Sequence, residues 1–528
     1  MLIVSAEQIR QLESRTFSEL GLPPALVMDT AGRAIADQIS KRLGPGNGRW
    51  LTVLAGVGNN GGDGLVVARV LAAQGYRCEV FVAGDHGKMT AETRLHFEAA
   101  KRHGGVEFRW VKDTLRGPEL QGLRRSLGRS AAIVDALTGL GLHGELREPV
   151  LTMAAQLDGR YRALTVSVDL PSGLCSATGK VLGSAVKCHL VVTMTAAKPG
   201  LFLGAGPEQW QELVVADIGI VPKWLQAQTP TGELLNDNDA AQLLPARPES
   251  GHKGTFGHAF VVAGSPGKGG AAILCAGAAL RTGVGLVTLA TSGEIRQRLE
   301  GSIPDIMVEA VRGGASEAKR LEKLLHGKDA VVVGPGLGTG AAELDLVQRL
   351  CSLSAVPVLL DADALTILAG KPEATETAKG RLVLTPHPGE MARLLGCEVA
   401  EVTADRMAAA TKAAHKWQAV VVLKGERTLI VAPDGNWAIC NQPNAALAKG
   451  GSGDVLAGII GSLLAQGLTP LVASKVGVHL HSKAGQLMRN RWGSRGGIAS
   501  DLVGCTAAAL GALQGVEVPE LVPAEVER

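Results

Sequence analysis

The chain has 528 residues, a formal net charge of +3, and a composition that is 46% hydrophobic and 3% aromatic, with 69 glycines. This length suggests about two to four domains, and the composition favours an α/β protein over a disordered chain or an all-β sandwich. The weak net charge gives no support for nucleic-acid binding, and no stretch of 18 uncharged apolar residues predicts a membrane span.

The N-terminus has the pattern of a helix start rather than that of a targeting signal. Ser5-Ala6-Glu7-Gln8 forms a capping box. Residues 5–43 predict two helices separated by Gly21-Leu22-Pro23-Pro24. The eight cysteines are scattered and include no Cys-x-x-Cys pair, which indicates reduced thiols in a cytoplasmic protein and no zinc site.

A β-α-β unit follows, with strands predicted at 50–55 and 78–83 and a helix at 65–74. The loop at 56–64 matches G-x-G-x-x-G, which alone is a weak fingerprint. Its residues Asn59, Asn60 and Asp63 offer oxygen atoms that suit a hard cation, or that could contact ribose and phosphate. The alternative is a turn rich in residues that tolerate left-handed geometry.

Two further predicted strands end in polar, glycine-containing loops. Strand 131–137 carries Asp135, and strand 163–168 is followed by Asp169. The carboxyl ends of parallel strands lie along one edge of a sheet, where open α/β sheets bind their ligands. We therefore expect these aspartates and the 56–64 loop to face a common site.

Five motifs in the first half, GNNGGDG, VDALTGLG, DLPSG, KPG and DIG, occur in order between 58 and 219. Over residues 5–222 they resemble the NAD(P)H-hydrate epimerase family, the YjeF N-terminal domain. The resemblance implies a Rossmann-like three-layer αβα domain at 1–222, with Asp169 as a catalytic residue and a potassium ion held by Asn60, Asp135 and Ser172. Cys175 and His189 stand where the family has acidic residues. The implied contacts to the hydrated nicotinamide nucleotide are Asn59, Asn60, Gly61, Gly62, Asp63, Gly139, Leu140, Gly141, Leu142, His143, Gly144, Glu145 and Asp169.

The second half also alternates strands and helices. After a linker near 222–232, residues 234–244 predict a capped helix. Strands are predicted at 259–263, 286–290, 329–333, 356–360, 382–384 and 419–423. This alternation indicates a second doubly wound α/β sheet with one functional edge.

The turn Gly450-Gly451-Ser452-Gly453 leads into Asp454 and an apolar stretch that predicts a helix. Glycines let backbone amides approach an anion closely, and a helix N-terminus adds unpaired N–H donors. Asp454 is then placed to accept a proton from an attacking hydroxyl group, as phosphoryl transfer requires. The alternative is an ordinary helix start whose first-turn aspartate complements the helix dipole.

Nine ordered motifs, among them HKGTFGH, GPGLG, LDADAL, LTPHPGEM, LKGERT and NAALAKGGSGDVLAG, span about 233–515. They resemble the ribokinase-like superfamily and, within it, ADP-dependent NAD(P)H-hydrate dehydratases. The resemblance implies a ribokinase-like αβα domain at 233–528, with magnesium accompanying the nucleotide. Asp361 and Asp363 could bind magnesium or cap a helix. The implied nucleotide contacts are Lys424, Gly425, Glu426, Arg427, Thr428 and Gly453, and the implied contacts to the hydrated cofactor are Ala271, Gly336, Gly338, His387 and Asp454, the last also catalytic.

Together the two resemblances imply one repair enzyme for hydrated NADH and NADPH (NADHX and NADPHX). Its first half would epimerise the R and S forms, and its second would dehydrate the S form while converting ADP to AMP. A homo-oligomer, a tetramer or larger, is also implied. An alternative is a ribokinase-like kinase for a vitamin or sugar with an accessory Rossmann-like domain, which explains the turn at 450–454 but not the N-terminal motifs.

Overall fold

The computed structural model describes residues 1–301, 303–314 and 317–516. The chain divides into two compact units, Met1–Gly232 and a second unit that begins at Glu233. The bounds 1–222 and 233–528 remain predictions, and residues 517–528 of the second lie outside the described residues.

The N-terminal unit alternates strands and helices as predicted. Its strands are β1 (Leu2–Ile3), β2 (Trp50–Gly56), β3 (Arg77–Ala83), β4 (Val106–Val111), β5 (Ala132–Ala136), β6 (Leu164–Val168), β7 (Leu190–Met194) and β8 (Glu212–Ala216). Its helices are α1 (Ala6–Glu19), α2 (Pro24–Leu43), α3 (Asn59–Ala73), α4 (Ala91–His103), α5 (Gly117–Arg129), α6 (Val150–Ala154) and α7 (Pro222–Gln226).

The N-terminal sheet is parallel throughout and has the Rossmann-like order β4-β3-β2-β5-β6-β7-β8. The strand order reverses between β2 and β5, which opens a crevice at the carboxyl ends of these two strands. Leu51, Val53 and Leu54 of β2 are completely buried, and each such side chain contributes about 1.5–3 kcal/mol through removal from water. The crevice thus lies at the end of a strand that is firmly anchored in the core of the unit.

Helix α3 begins earlier than predicted. We expected it to start at residue 65, but Asn59–Gly64 already forms its first turns. The sequence did not predict these turns, because glycine has a low helix propensity and three of the six residues are glycines. Here glycine is required by packing: a Cβ at Gly61 would lie 1.9 Å from the carbonyl oxygen of Gly56. The helix N-terminus is therefore drawn against the end of β2.

The C-terminal unit repeats the alternation, after β9 (Gly232–Glu233) at the junction. Its strands are β10 (His258–Val262), β11 (Leu286–Thr291), β12 (Met307–Ala310), β13 (Ala330–Val333), β14 (Val358–Leu360), β15 (Leu382–Leu384), β16 (Ala419–Leu423), β17 (Leu429–Val431) and β18 (Trp437–Ile439). Its helices are α8 (Asp237–Leu243), α9 (Gly269–Arg281), α10 (Gly293–Leu299), α11 (Ala318–Leu325), α12 (Ala341–Leu353), α13 (Asp363–Leu368), α14 (Pro388–Leu395), α15 (Val399–Ala404), α16 (Arg406–Trp417), α17 (Ser452–Ala465), α18 (Pro470–Gly496) and α19 (Ala499–Leu513).

Within this unit the strand order is β18-β17-β16-β15-β14-β13-β10-β11-β12. The pairs from β16 to β12 are parallel, and β17 and β18 add an antiparallel edge. Here the order reverses between β10 and β13, so the unit is doubly wound, as predicted. No helix in the described part of the chain is long and apolar enough to cross a bilayer.

Candidate active sites

A cavity of about 910 Å³ opens at the reversal point of the N-terminal sheet. Its walls come from the start of α3, the loop after β5 and the residue after β6, the three strand ends that the sequence predicts to converge. Of the predicted contacts, Gly61, Gly62 and Gly144 do not line the cavity. Gly61 and Gly62 instead pack so closely against neighbouring residues that a Cβ would clash there. The predicted contact residues that do line the cavity are Asn59, Asn60, Asp63, Gly139, Leu140, Gly141, Leu142, His143, Glu145 and Asp169.

Asp169 is held in an unusual backbone conformation beside a buried lysine. Its φ is +66°, in the left-handed region that non-glycine residues seldom adopt. Oδ1 accepts hydrogen bonds from Thr193 Oγ1 (2.9 Å), from the amide of Met194 (3.2 Å) and from Nζ of Lys198, which has no exposed surface. All of these bonds fall on one oxygen, so the carboxylate is fixed in orientation.

Among the other acidic side chains that line the same cavity are Glu13 and Asp63, which are partly buried. Burial, reinforced by the negative charges of Asp169 and Glu13, raises the pKa of Asp63 well above its usual range. Burial and the charge of Asp169 also raise the pKa of Glu13, against the opposing effect of Lys198 and Arg10. The cavity therefore holds carboxyl groups whose environments favour the protonated form.

The three predicted potassium ligands are brought together beneath the cavity. Ser172 Oγ donates to Asp135 Oδ1 (2.5 Å) and accepts from the amide of Thr138 (2.9 Å), and Asn60 Nδ2 donates to the carbonyl of Thr138 (3.0 Å). Asp135 has no exposed surface, and within the described part of the chain its hydrogen bonds come only from hydroxyl and amide groups. Burial raises the pKa of Asp135, although these hydrogen bonds oppose the shift. A buried carboxylate without a cationic side chain is a chemically suitable donor for a monovalent cation.

The C-terminal unit has a cavity of about 980 Å³. It lies beside the carboxyl end of β16 and the start of α17, with further walls from α18. Of the predicted nucleotide contacts, only Arg427 does not line it, because its guanidinium donates to Asn441 Oδ1 (2.8 Å) and Glu426 Oε1 (2.7 Å). The predicted contacts that do line it are Lys424, Gly425, Glu426, Thr428 and Gly453.

Lys424 organises the charges of this second site. Its Nζ donates to Asp361 Oδ1 at 2.7 Å and lies 3.8 Å from Glu390 Oε2. Burial alone would lower the pKa of Lys424, but the carboxylates of Asp361 and Glu390 outweigh it and raise the pKa. A Cβ placed at Gly453 would lie 3.4 Å from this Nζ. The ammonium group and the N-terminus of α17 are therefore adjacent, an arrangement suited to phosphate.

Asp454 lies in the first turn of α17. Burial, followed by the negative charge of Asp361, raises the pKa of Asp454 to about 6, and Lys424 only partly opposes this shift. A carboxylate with such a pKa is largely ionised at neutral pH and still able to accept a proton. The helix start itself depends on Gly451, which has a φ of +90° and packs against Leu274 and Ala499.

Of the predicted contacts to the hydrated cofactor, Ala271, Gly336 and Gly338 lie at the reversal point of the C-terminal sheet. None of these three, nor Asp454, lines the 980 Å³ cavity. A Cβ at Gly336 would lie 3.1 Å from that of Ala271, and Gly338 donates its amide to Asp363 Oδ2 at 2.9 Å. Asp363 also pairs with Lys268 at 2.9 Å. These residues are electrostatically coupled to the start of α17, because the negative charge of Asp363 contributes to the raised pKa of Asp454.

His387 lines the cavity but also has a local structural role. Its Nδ1 accepts from the amides of Gly389 and Glu390 and caps α14, while Nε2 lies 3.3 Å from Glu390 Oε1. Burial and the nearby Lys424 lower the pKa of His387, so it is neutral at pH 7. Among the described residues, no group of three or more His, Cys, Asp or Glu side chains is arranged to hold a metal ion.

Comparison with known proteins finds relatives for both halves of the chain. Residues 25–200 match the family model of the YjeF-related protein N-terminus, and residues 259–507 match that of NAD(P)H-hydrate dehydratase. The bifunctional NAD(P)H-hydrate repair enzyme of Moorella thermoacetica is 38% identical over 510 residues, 95% of each chain. The enzyme of the same name from Escherichia coli is 35% identical over 94% of this chain and 92% of its own.

The chain belongs to the bifunctional NAD(P)H-hydrate repair enzyme family. Both predicted family resemblances and the predicted α/β fold class are thereby confirmed. Among solved structures, an ADP/ATP-dependent NAD(P)H-hydrate dehydratase from Bacillus subtilis, co-crystallised with ATP and Mg²⁺, is 29% identical. It covers 53% of this chain and 98% of its own, with a TM-score of 0.47.

Four residues of these two sites were missed in the sequence. Lys198 lies in the KPG motif, which the resemblance included without giving it a role. The sequence gives only a weak indication that Glu13 belongs to a site, namely that this charged residue directly follows the buried Leu12 on α1. His481 is buried on α18, where Nε2 contacts the carbonyl of Ser452 at 3.0 Å, and burial lowers its pKa to about 4. His481 and Lys268 meet their partners only through long-range folding, so no local pattern could identify them.

Proposed function

We propose that this chain repairs hydrated nicotinamide nucleotides with two separate sites. The N-terminal unit interconverts the R and S hydrates of NADH and NADPH, and the C-terminal unit dehydrates the S form while ADP is converted to AMP. The observation that carries this proposal is that relatives bearing the bifunctional name align along about 95% of the chain. The two sheet-edge cavities give each activity a place of its own.

In the dehydratase site the chemical problem is that hydroxide is a poor leaving group. We assign Asp454 as the base that takes the proton of the substrate hydroxyl group as that oxygen attacks the β-phosphate of ADP. AMP leaves, and the former hydroxyl oxygen now carries the phosphate. The ring nitrogen lone pair then expels this phosphate, and loss of a proton from the adjacent carbon restores the reduced nicotinamide. The amides at 450–453 and Lys424 would stabilise the transferring phosphate.

The nucleotide is assigned to the cavity lined by Lys424, Gly425, Glu426, Thr428 and Gly453. Magnesium would accompany its phosphates, with Asp361 and Glu390 as the nearby carboxylates. The charges fit a cation here, because the pKa values of Glu390 and Asp454 are both raised, by burial first and also by the negative charge of Asp361. A bound magnesium ion supplies positive charge that offsets the phosphate charge.

In the epimerase site we assign Asp169 as a catalytic residue and the cavity-lining loops as the substrate contacts. Asn60, Asp135 and Ser172 would hold potassium, since Asp135 is buried and no cationic side chain among the described residues compensates it. Such an ion would neutralise Asp135 and tie the loops after β2, β5 and β6 together. Gly61, Gly62 and Gly144 would act through backbone geometry rather than direct contact.

Two broader assignments accompany this proposal. A homo-oligomer, a tetramer or larger, rests on the family resemblance alone. A cytoplasmic location rests on the eight cysteines, all of which are free thiols.

The test is to give the purified full-length protein a mixture of R and S hydrates with ADP and to follow the absorbance of reduced nicotinamide. We expect both epimers to be converted completely. Without nucleotide, absorbance should stay flat while the epimers interconvert. Conversion of the S form alone would contradict the epimerase assignment. Release of a phosphorylated vitamin or sugar, with no recovery of NADH from the hydrate, would favour the kinase alternative.

A further inference from the structure

Five carboxyl side chains line the N-terminal cavity: the exposed Glu145 and Glu148, and the more buried Glu13, Asp63 and Asp169. The last three differ in their partners. Asp169 forms an ion pair with the buried Lys198. Glu13 and Asp63 make no hydrogen bond or ion pair through their side chains with any residue that the structure describes, although both line the cavity. The cavity thus contains one fixed anion and two partly buried carboxyl groups that are free to contact a ligand.

The charged groups around Glu13 act in opposite directions. The negative charge of Asp169 raises the pKa of Glu13, whereas the positive charges of Lys198 and Arg10 lower it. Burial has the largest effect, and the net result is a raised pKa for Glu13. Lys198 is committed to Asp169, Thr193 and the carbonyl of Met194, so it offers Glu13 no direct partner. In a site that holds both a protonated carboxyl group and an ionised carboxylate, the protonated group can serve as the acid and the ionised one as the anion.

We propose that Glu13 is the general acid that protonates the substrate hydroxyl group during epimerisation, with Asp169 as the anion that stabilises the resulting cation. This inference rests on the proposed epimerase function of the N-terminal unit. It supplies the step that inverts the stereocentre. Lys198 is then a positioning residue, which keeps the Asp169 carboxylate in place.

The reaction is balanced in atoms and charge. The Glu13 carboxyl group gives its proton to the hydroxyl oxygen, and the C–O bond breaks with its electron pair leaving on water. The ring nitrogen lone pair forms a C=N bond, which produces an iminium cation beside Asp169. Water then adds to the opposite face of the same carbon, and the C=N pair returns to nitrogen. The proton lost by the added water reloads the Glu13 carboxylate directly or through cavity water.

Glu13 suits this role better than Asp63. Asp63 lies within the first turns of α3, and its pKa is raised well above the usual range. A group that retains its proton so strongly is a poor donor, because an effective general acid has a pKa near the working pH. The negative charge that helps to keep Glu13 protonated comes from Asp169 instead.

The test uses full-length protein without nucleotide, so that dehydration does not remove the S epimer. The variants are Glu13→Gln, Glu13→Asp and, as a matched control on the same helix, Glu19→Gln, whose side chain is exposed and pairs with Arg15. Interconversion of R and S hydrates is followed by NMR across pH, and reactions are repeated in H₂¹⁸O. Thermal unfolding of each variant checks that the N-terminal unit is folded.

We expect Glu13→Gln to lower kcat by about 100-fold or more with little change in KM. Glu13→Asp should restore part of the rate with a displaced alkaline limb in the pH profile. Glu19→Gln should match the wild type, and each inversion by the wild type should introduce one ¹⁸O into the hydroxyl group. Inversion without ¹⁸O uptake, or a Glu13→Gln rate within threefold of the control, overturns the proposal. If the wild type does not interconvert the epimers at all, the proposed epimerase function itself fails.

Discussion

Both units place an aspartate directly after a parallel strand and pair it with a lysine that is wholly or mostly buried, but they use the pair differently. In the N-terminal unit Asp169 follows β6 and binds Lys198. In the C-terminal unit Asp361 follows β14 and binds Lys424. Asp169 and Lys198 both line the first cavity, whereas in the second unit Lys424 lines the cavity and Asp361 does not.

The comparison shows that the ion pair organises each site by its effect on neighbouring carboxyl groups. A lysine that is committed to one aspartate compensates the others only in part. Glu13 and Asp63 in the first unit, and Glu390 and Asp454 in the second, all have raised pKa values, with burial as the first cause. The groups beside the pair, rather than the paired aspartate alone, are therefore suited to carry protons.

The largest expected effect comes from replacing Asp454, whose carboxylate makes no hydrogen bond or ion pair with any residue that the structure describes. Asp454→Asn should lower the rate of dehydration by about 10²–10⁴-fold, because the substrate hydroxyl group loses its proton acceptor. Epimerisation, measured without nucleotide, should be unchanged. Asp434→Asn, in an exposed turn after β17, is the matched control. Undiminished dehydration by the Asp454 variant would show that another group takes the proton.

Much of the fold could be predicted because the strands are short, apolar and bounded by glycine-containing loops. The strands at 382–384 and 419–423 were predicted with the bounds that the structure has. The start of α3 was missed, because Asn59–Gly64 is a poor helix by propensity and forms only when packed against β2.

The sites were predictable to the extent that strand ends determine them. The loops that follow β2, β5 and β6 do share one cavity. Residues that reach a site from a distant element were not predictable: Glu13 comes from α1 and His481 from α18. A local sequence pattern also does not show that Asp361 is committed to Lys424, because the two are 63 positions apart.

A second expected effect compares the two ion pairs through stability. Lys198→Met and Lys424→Met should each lower the free energy of unfolding by about 3–5 kcal/mol, because each leaves a buried carboxylate without its partner. Lys198 has no exposed surface and the Lys424 side chain is 19% exposed, so the loss should be larger for Lys198. Denaturant unfolding of the full-length variants measures it.

Two double variants control for the loss of the lysine side chain itself. Lys198→Met with Asp169→Asn, and Lys424→Met with Asp361→Asn, should each recover part of the lost stability, because no buried charge remains unpaired. If the double variants were no more stable than the single ones, the lysines would contribute by packing rather than by charge.

A smaller effect is expected at the turn that starts α17. Gly451→Ala should lower the free energy of unfolding by about 1–3 kcal/mol, since φ is +90° and the added Cβ would lie 2.7 Å from Leu274 Cδ1 and 2.8 Å from Ala499 Cβ. Gly450→Ala is the matched control, with no atom within 4 Å of its Cβ position and no positive φ. Equal stability of the two variants would mean that the turn tolerates side chains at both positions.

The smallest expected effect is a shift in the pH dependence of dehydration. Ionised Asp454 is the form that accepts a proton, so with a pKa of about 6 kcat/KM should fall as the pH drops below 6. Asp363 adds negative charge that favours the protonated form of Asp454. Asp363→Asn removes that charge, so the acid limb should move to lower pH, by less than about one unit because Asp363 is the weakest of the contributing groups. An acid limb that stays in place, or moves to higher pH, would mean that Asp454 is not the group that titrates.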